Sequence, residues 1–295
     1  MIKTAVIGAT GFIGSHLFRQ YRAAFSDCIG TSYSKSKGGL ISFDLKNTDI
    51  HQLKLMETDH QAVIISAMSN VNWCEAHPTE SRDINVSGTL RIIKALSRMN
   101  IKIIFLSSGY VFNGRTRSKY QETEKTCPIT EYGKQKAEVE KEIPNLTNNY
   151  LICRLSKIYG TAWKDNTLID EAASSLLQGK IINAADDQYF SPTHVDDVVS
   201  MILYAQQKNI NGLVNLCNSD SYSRYHIVSS LAKALQIPSS QVKKVSLNKI
   251  TGMENRPLNT SLQSSQLFHP LQCQFISIDN AIKQVAQNWT KAVVK

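Results

Sequence analysis

The sequence predicts a doubly wound α/β fold, a parallel sheet covered by helices on both faces. Three observations carry that prediction. The chain opens on an apolar run, Thr4–Ile7, that breaks into Gly8, Gly11 and Gly14, after which Phe12, Ile13 and Leu17 continue at helical spacing. Apolar runs at Ala5–Ile7, Cys28–Tyr33, Ala62–Ala67, Ile101–Ser107, Leu151–Leu155 and Leu213–Cys217 then alternate with helical patterns. Those patterns lie near Ser15–Phe25, Thr48–Met56, Thr79–Met99, Thr130–Lys141 and Asn166–Gln178. Such alternation implies a sheet buried on both faces. Finally, Pro78 and Pro128 stand just ahead of two of these patterns, as helix-start punctuation.

The alternation loosens after about residue 160. We therefore expect a dinucleotide-binding domain over 1–160, with 191–218 returning to it, and a smaller interleaved lobe over 161–190 and 219–295. In doubly wound sheets ligands bind at the carboxyl ends of the strands, which places the expected substrate between the lobes.

Composition narrows the class. At 295 residues, 42% hydrophobic and 19% charged, the chain has ample core, and it shows no repeat or low-complexity tract. No apolar run reaches membrane-span length and the glycine-broken start is not a signal peptide, so a cytoplasmic protein is expected, off the membrane. The six cysteines are unpaired in spacing. Cys28, Cys153 and Cys217 read as small buried hydrophobes, and Cys74 with His77 lacks the second pair a metal site needs. The net charge of +9 is dispersed, with its densest cluster at Arg115–Lys119 and no aromatic residues interleaved. That pattern suits a solvated surface or a phosphorylated ligand rather than nucleic acid.

The glycine loop carries the first chemistry. Glycine permits a tight turn and lets the backbone approach a pyrophosphate, while the following helix aims free N–H groups and its positive dipole end at the anion. Gly8, Thr10, Gly11, Phe12, Ile13 and Gly14 are the expected cofactor contacts of this Rossmann-type unit, although the spacing is G-x-x-G-x-x-G. A second signal lies 24 residues apart, in Ser108 at the end of a strand and Tyr132 at the start of a helix. Lys136 follows Tyr132 by one turn on the same face. A free phenol has a pKa near 10 and exchanges protons poorly at neutral pH; an ammonium one turn away is expected to lower it.

These residues resemble an extended short-chain dehydrogenase/reductase, and more narrowly the dTDP-4-dehydrorhamnose reductase group of nucleotide-sugar 4-ketoreductases. The resemblance rests on Gly8/Gly11/Gly14, Ser107-Ser-Gly-Tyr-Val-Phe-Asn-Gly114, Tyr132-Gly-Lys-Gln-Lys136, Asp187-Gln-Tyr-Phe-Ser-Pro-Thr193 and Arg256-Pro-Leu-Asn-Thr-Ser-Leu262. It implies Ser108 as the catalytic hydroxyl, Tyr132 as the general acid, and Lys136 as both pKa modifier and ligand of the nicotinamide ribose. Ser66-Ala67-Met68 resembles the loop lining the cofactor, and Asp44-Leu45 the pair at the adenine. Asn85 matches a helix motif of the superfamily or serves helix packing. The sequence departs from the group in having Gly109 in place of an aspartate and Lys157 in place of a tryptophan associated with the sugar. Tyr110, Lys157 and Arg256 are the candidate substrate residues, with Arg154 and the Arg115–Lys119 loop as further candidates for a diphosphate.

Cofactor choice is set near the end of the second strand, where an acid binds the ribose hydroxyls of NAD. Gly30–Lys37 contains none, and Ser34, Lys35 and Lys37 suit a 2′-phosphate unless they are simply solvated. NADPH is expected over NADH. The expected function is NADPH-dependent reduction of a 4-keto nucleotide sugar, and a homodimer is compatible with it. The alternatives are an epimerase or dehydratase retaining NAD, and a non-catalytic NADP-binding regulatory subunit.

Overall fold

The computed structural model describes residues 3–24, 28–33, 39–47, 49–55, 60–253, 255–272 and 274–293. They form two compact units. Unit 1 comprises Met1–Val111, Thr126–Arg154 and Ile202–Val214; unit 2 comprises Phe112–Lys125, Leu155–Met201 and Asn215–Lys295. The chain thus passes between units at 111, 125, 154, 201 and 214, where the sequence pattern put the crossings near 160, 190 and 218.

Unit 1 is built on seven strands: β1 (Lys3–Ile7), β2 (Ile29–Ser32), β3 (Ile41–Ser42), β4 (His60–Ile64), β5 (Lys102–Ser108), β6 (Tyr150–Leu155) and β7 (Gly212–Asn215). Their order is β7-β6-β5-β4-β1-β2-β3. The pairs β1–β2, β1–β4, β2–β3 and β4–β5 are parallel, with Ala5 opposite Ala62 and Val63 opposite Ile104. The order reverses between β1 and β4, which opens a crevice at their carboxyl ends. The glycine loop, the loop after β4 and Ser108 at the end of β5 all lie at carboxyl ends of these strands.

Helices α1 (Phe12–Ala24), α2 (Thr89–Arg98) and α3 (Glu131–Leu146) belong to this unit. Ile92, Ile93 and Leu96 of α2 and Val139 and Ile143 of α3 share one buried cluster with Ile7, Ile64, Ile103 and Phe105 of the sheet. The predicted helix Thr79–Met99 is helical throughout, but Asp83–Gly88 is wound as a π-helix. The predicted helix Thr48–Met56 shrinks to a 3₁₀ turn at Ile50–Leu53. The Asp49 side chain caps that turn, and Lys54, at φ 49°, ends it in the left-handed region. The two-residue β3 is too short to show a period in sequence. Cys153 and Cys217 are buried as expected, whereas Cys28, just ahead of β2, is only half-buried.

Unit 2 packs α4 (Leu168–Leu177), α5 (Arg224–Ala234) and α6 (Ile278–Val293) around Leu176, Phe190, Leu231, Ile282 and Trp289. Trp289 Nε1 donates to Asp170 Oδ1 at 2.8 Å, tying α6 to α4. Short strand pairs complete the unit. Ile158–Tyr159 runs parallel to Thr193–His194, Tyr189–Phe190 antiparallel to Tyr222–Ser223, and Ile182–Ala185 parallel to Val242–Val245. Among the described residues no helix is long and apolar enough to cross a membrane.

Candidate active site

The turn after β1 is shaped by close backbone contacts. Gly8 has φ +100°, and a Cβ there would lie 2.7 Å from Ser66 N. A Cβ on Gly14 would lie 2.0 Å from Gly8 O, so only glycine lets α1 start this close to the strand. Gly11 differs: its nearest contact to an added Cβ is 3.5 Å, and it is exposed beside exposed Thr10. Two glycines therefore pack the turn, and the middle one keeps its outer face bare. Phe12 and Ile13, both half-buried, open α1. Gly8 N donates to Thr31 Oγ1 at 3.0 Å and Ala9 N to Thr31 O at 2.9 Å, which fixes the loop to β2.

The loop after β4 is held by Asn85. Its Oδ1 accepts from Met68 N at 2.7 Å, and its Nδ2 donates to Met68 O at 2.9 Å and to Gln135 Oε1 at 2.7 Å. Gln135 Nε2 continues the chain to Ser81 Oγ at 2.7 Å. The Cys74 thiol also donates to Met68 O, at 3.3 Å, which accounts for that cysteine inside the unit. Ala67 and Met68 are thus half-buried on a clamped loop, and the clamp runs through the residue preceding Lys136.

Ser108 ends β5, and its Oγ accepts from Tyr110 N at 3.2 Å. Thr130 caps α3 by accepting from Gly133 N at 3.1 Å. A Cβ on Gly133 would lie 2.1 Å from Tyr110 O, so glycine here lets α3 abut the turn after β5. That approach sets Tyr132 against Tyr110, with ring centres 6.0 Å apart and edge-on. It also brings the phenol within hydrogen-bonding reach of Ser108. Lys136 is buried; its Nζ donates to Leu106 O at 2.8 Å and lies 4.5 Å from the Phe105 ring centre and 6.0 Å from that of Tyr132.

Electrostatics corrects one expectation. The phenol's pKa is raised on balance, not lowered. Burial raises the Tyr132 pKa well above its ordinary value, with the Ser108 hydrogen bond acting the other way. Burial also lowers Lys136 to about 8, which the Glu140 carboxylate partly opposes. At neutral pH Tyr132 is a protonated donor.

Arg154 is no diphosphate ligand. It is 3% exposed and pairs with Glu140, with Nη2 at 2.7 Å from Oε2 and Nε at 3.1 Å from Oε1, while Ser107 Oγ donates to the same carboxylate. The adenine-side expectation also meets local structure. The Asp44 carboxylate accepts from Lys46 N at 2.9 Å and Asn47 Nδ2 at 3.0 Å, and Leu45 is part of the sheet's core. Ser34 and Lys35, with Lys37, lie outside the described residues. In unit 2, burial lowers Lys157 to about 8; the charge of Arg224, which the sequence reading did not single out, and that of Arg256 act in the same direction, and the Glu171 carboxylate opposes them. No group of three or more metal-ligating side chains occurs among the described residues.

The family model described as RmlD substrate binding domain matches residues 2–291. The chain belongs to that family. Among curated relatives, the bovine (Bos taurus) methionine adenosyltransferase 2 subunit beta is 24% identical over 277 residues, covering 90% of this chain and 81% of that protein. A Haloferax volcanii protein named "Probable low-salt glycan biosynthesis reductase Agl14" is 22% identical over 282 residues, covering 91% and 92%. Among solved structures, a dTDP-4-dehydrorhamnose reductase from Clostridium acetobutylicum superposes with a TM-score of 0.85 at 19% identity, over 98% of this chain and all of the other. The Bacillus anthracis dTDP-4-dehydrorhamnose reductase, solved in complex with NADP, gives 0.82 at 21% identity, over 97% and 98%. The fold and the family expected from the sequence are both borne out.

Proposed function

We propose that this RmlD-family member reduces the C4 carbonyl of a keto sugar carried on a nucleotide, with NADPH as its cofactor. The observation that carries the reading is the meeting of Ser108, Tyr132 and Lys136 at the carboxyl end of β5. The glycine loop fits a dinucleotide phosphate, since Gly8 and Gly14 compact the turn and Gly11 leaves backbone bare at the start of α1. Thr10, Gly11, Phe12 and Ile13 would hold the pyrophosphate, and Ala67 and Met68 would line the cofactor. Bound there, NADPH supplies the hydride. Tyr132, kept protonated by burial, gives its proton to the carbonyl oxygen while the Ser108 hydroxyl holds that oxygen. Lys136, anchored to Leu106 O, orients the ribose and restores the phenol's proton. Tyr110 faces the sugar, and Lys157 and Arg256 receive the anionic part of the substrate.

The test is a panel of nucleotide keto sugars assayed with NADPH and NADH. Turnover with NADPH is expected to exceed that with NADH, and Tyr132→Phe to lower kcat by about 10²- to 10⁴-fold with NADPH binding intact. Equal turnover by the Tyr132→Phe chain would sink the assignment. The bovine relative's name supports a second reading, an NADP-binding subunit of another enzyme. Bound NADP with no carbonyl reduced across the panel would favour it.

A further inference from the structure

Gln135 is 3% exposed on α3, and a side chain of this type is seldom buried so deeply. Leucine would fill the same space at lower cost, because a primary amide taken out of water needs an acceptor and a donor of its own. Neighbouring residues of a helix point about 100° apart. Lys136 therefore reaches β5 at Leu106 O, while Gln135 reaches the π-helix Asp83–Gly88 and the helix Pro78–Arg82.

The bonds leave one role for each group. Met68 uses both its N–H and its carbonyl on the Asn85 amide, which fixes Asn85 Oδ1 as acceptor and Nδ2 as donor. The second Nδ2 proton then needs an acceptor, and Gln135 Oε1 supplies it at 2.7 Å. Gln135 Nε2 donates to Ser81 Oγ at 2.7 Å, and the buried Ser81 hydroxyl donates onward to Pro78 O at 3.1 Å. Each orientation depends on the next, and only an acceptor at position 135 completes the chain.

The other end of this chain reaches the glycine turn. Ser66 N donates to Ile7 O at 2.9 Å, and a Cβ on Gly8 would lie 2.7 Å from that same nitrogen. Segment 66–68 therefore lies against the turn, at the reversal of strand order where a dinucleotide would bind. The helix that follows it, Val71–Ala76, is tied to α3 as well, since Glu75 Oε1 accepts from Glu131 N at 2.8 Å. The loop beside the turn and the helix carrying Tyr132 and Lys136 are joined at two points within unit 1.

We propose that Gln135 is a positioning residue whose amide, acting through Asn85, holds the Ala67–Met68 loop in the conformation that binds NADPH. This rests on the NADPH reading above. Gln135→Leu keeps the volume and removes the acceptor, so Asn85 is left with a buried unmet proton and its hold on Met68 weakens. Gln135→Glu keeps an acceptor for Asn85 and offers its second oxygen to the Ser81 hydroxyl. Ser81→Ala reads the same chain from its far end, by removing the acceptor of Gln135 Nε2.

The test titrates the native chain and these three variants with NADPH, followed by the fluorescence of the bound nucleotide, with urea unfolding of each alongside. Gln135→Leu is expected to bind NADPH about tenfold more weakly than the native chain and Ser81→Ala about threefold, while Gln135→Glu recovers most of the loss. Where a keto sugar of the panel turns over, Gln135→Leu should raise KM for NADPH more than KM for the sugar. A side chain that only fills space gives the opposite order, with leucine equal to the native chain and glutamate weaker, and that order overturns the inference. So does a lowered urea midpoint with NADPH affinity unchanged in both Gln135→Leu and Ser81→Ala. Should leucine prevent folding, unchanged affinity in Ser81→Ala overturns it alone. A native chain that binds no NADPH overturns the cofactor reading itself, and the inference with it.

Discussion

Two lysines whose pKa burial lowers, one in each unit, are held in opposite ways. In unit 1, Lys136 is anchored on Leu106 O, Lys102 on Asn209 Oδ1 and Ile210 O, and Arg154 on Glu140. In unit 2, Lys157 has no hydrogen-bond or ion-pair acceptor among the described residues, and its strongest electrostatic neighbours include two further cations. Burial lowers both Lys136 and Lys157 to about 8, yet one is fixed on a carbonyl and the other has charges of both signs near it, Arg224 and Arg256 against Glu171. A cation with a full set of partners builds a site.

The sharpest way to break this contrast is to take away a partner in unit 1. Glu140→Ala leaves Arg154 buried without its carboxylate and is expected to cost about 3–5 kcal/mol, read as a lower urea midpoint. It also removes the charge that supports the Lys136 ammonium, so the alkaline limb of any activity profile should move to lower pH. The same loss of charge at Lys157 should cost no stability, because nothing is left stranded; Lys157→Gln with an unchanged midpoint would confirm the difference.

Gly133→Ala is next in size. Its Cβ meets Tyr110 O at 2.1 Å, so α3 must retreat from the turn after β5. About 1–3 kcal/mol of stability should be lost, and kcat should fall more than KM rises, since Tyr132 moves away from Ser108. Unchanged kcat would show that the approach of α3 does not set the proton donor.

The smallest effect tests burial in unit 2 without a cation. Asp197, 6% exposed, accepts from Ile276 N at 3.0 Å, and burial raises its pKa to about 6. Its folded pKa exceeds the unfolded value, so the native state binds more protons between them and stability falls as pH rises from about 4 to 6. Asp197→Asn keeps an acceptor for Ile276 and should raise the melting temperature at pH 8 by the equivalent of about 1 kcal/mol, with no gain at pH 4.

Much of the candidate site was legible because its signals are local. Ser108 sits at the end of an apolar run, and Tyr132 and Lys136 are one helical turn apart, so strand and helix periods alone put them in register. Gly133 could have been noticed for the same reason, as a glycine at the first turn of a helix beside the candidate acid. Asn85 could not be resolved between its two readings, because its partners Met68 and Gln135 lie 17 and 50 residues away. Arg154 looked like one more surface cation, since strand position says nothing about a carboxylate on α3. The helix expected at Thr48–Met56 failed where Asp49 and the left-handed Lys54 closed a single turn.

By itself the sequence determined the alternation of strands and helices, the glycine turn and the Ser108–Tyr132–Lys136 set, all of which depend on neighbours a few residues apart. Tertiary structure decided the rest. It chose which cations are anchored on an acceptor, as Arg154 is on Glu140, and it turned Asn85 into the clamp of the loop after β4. It also raised the Tyr132 phenol, because desolvation depends on what the whole unit packs around a side chain. Charge and periodicity can be read along a chain; burial and long-range pairing exist only once it has folded.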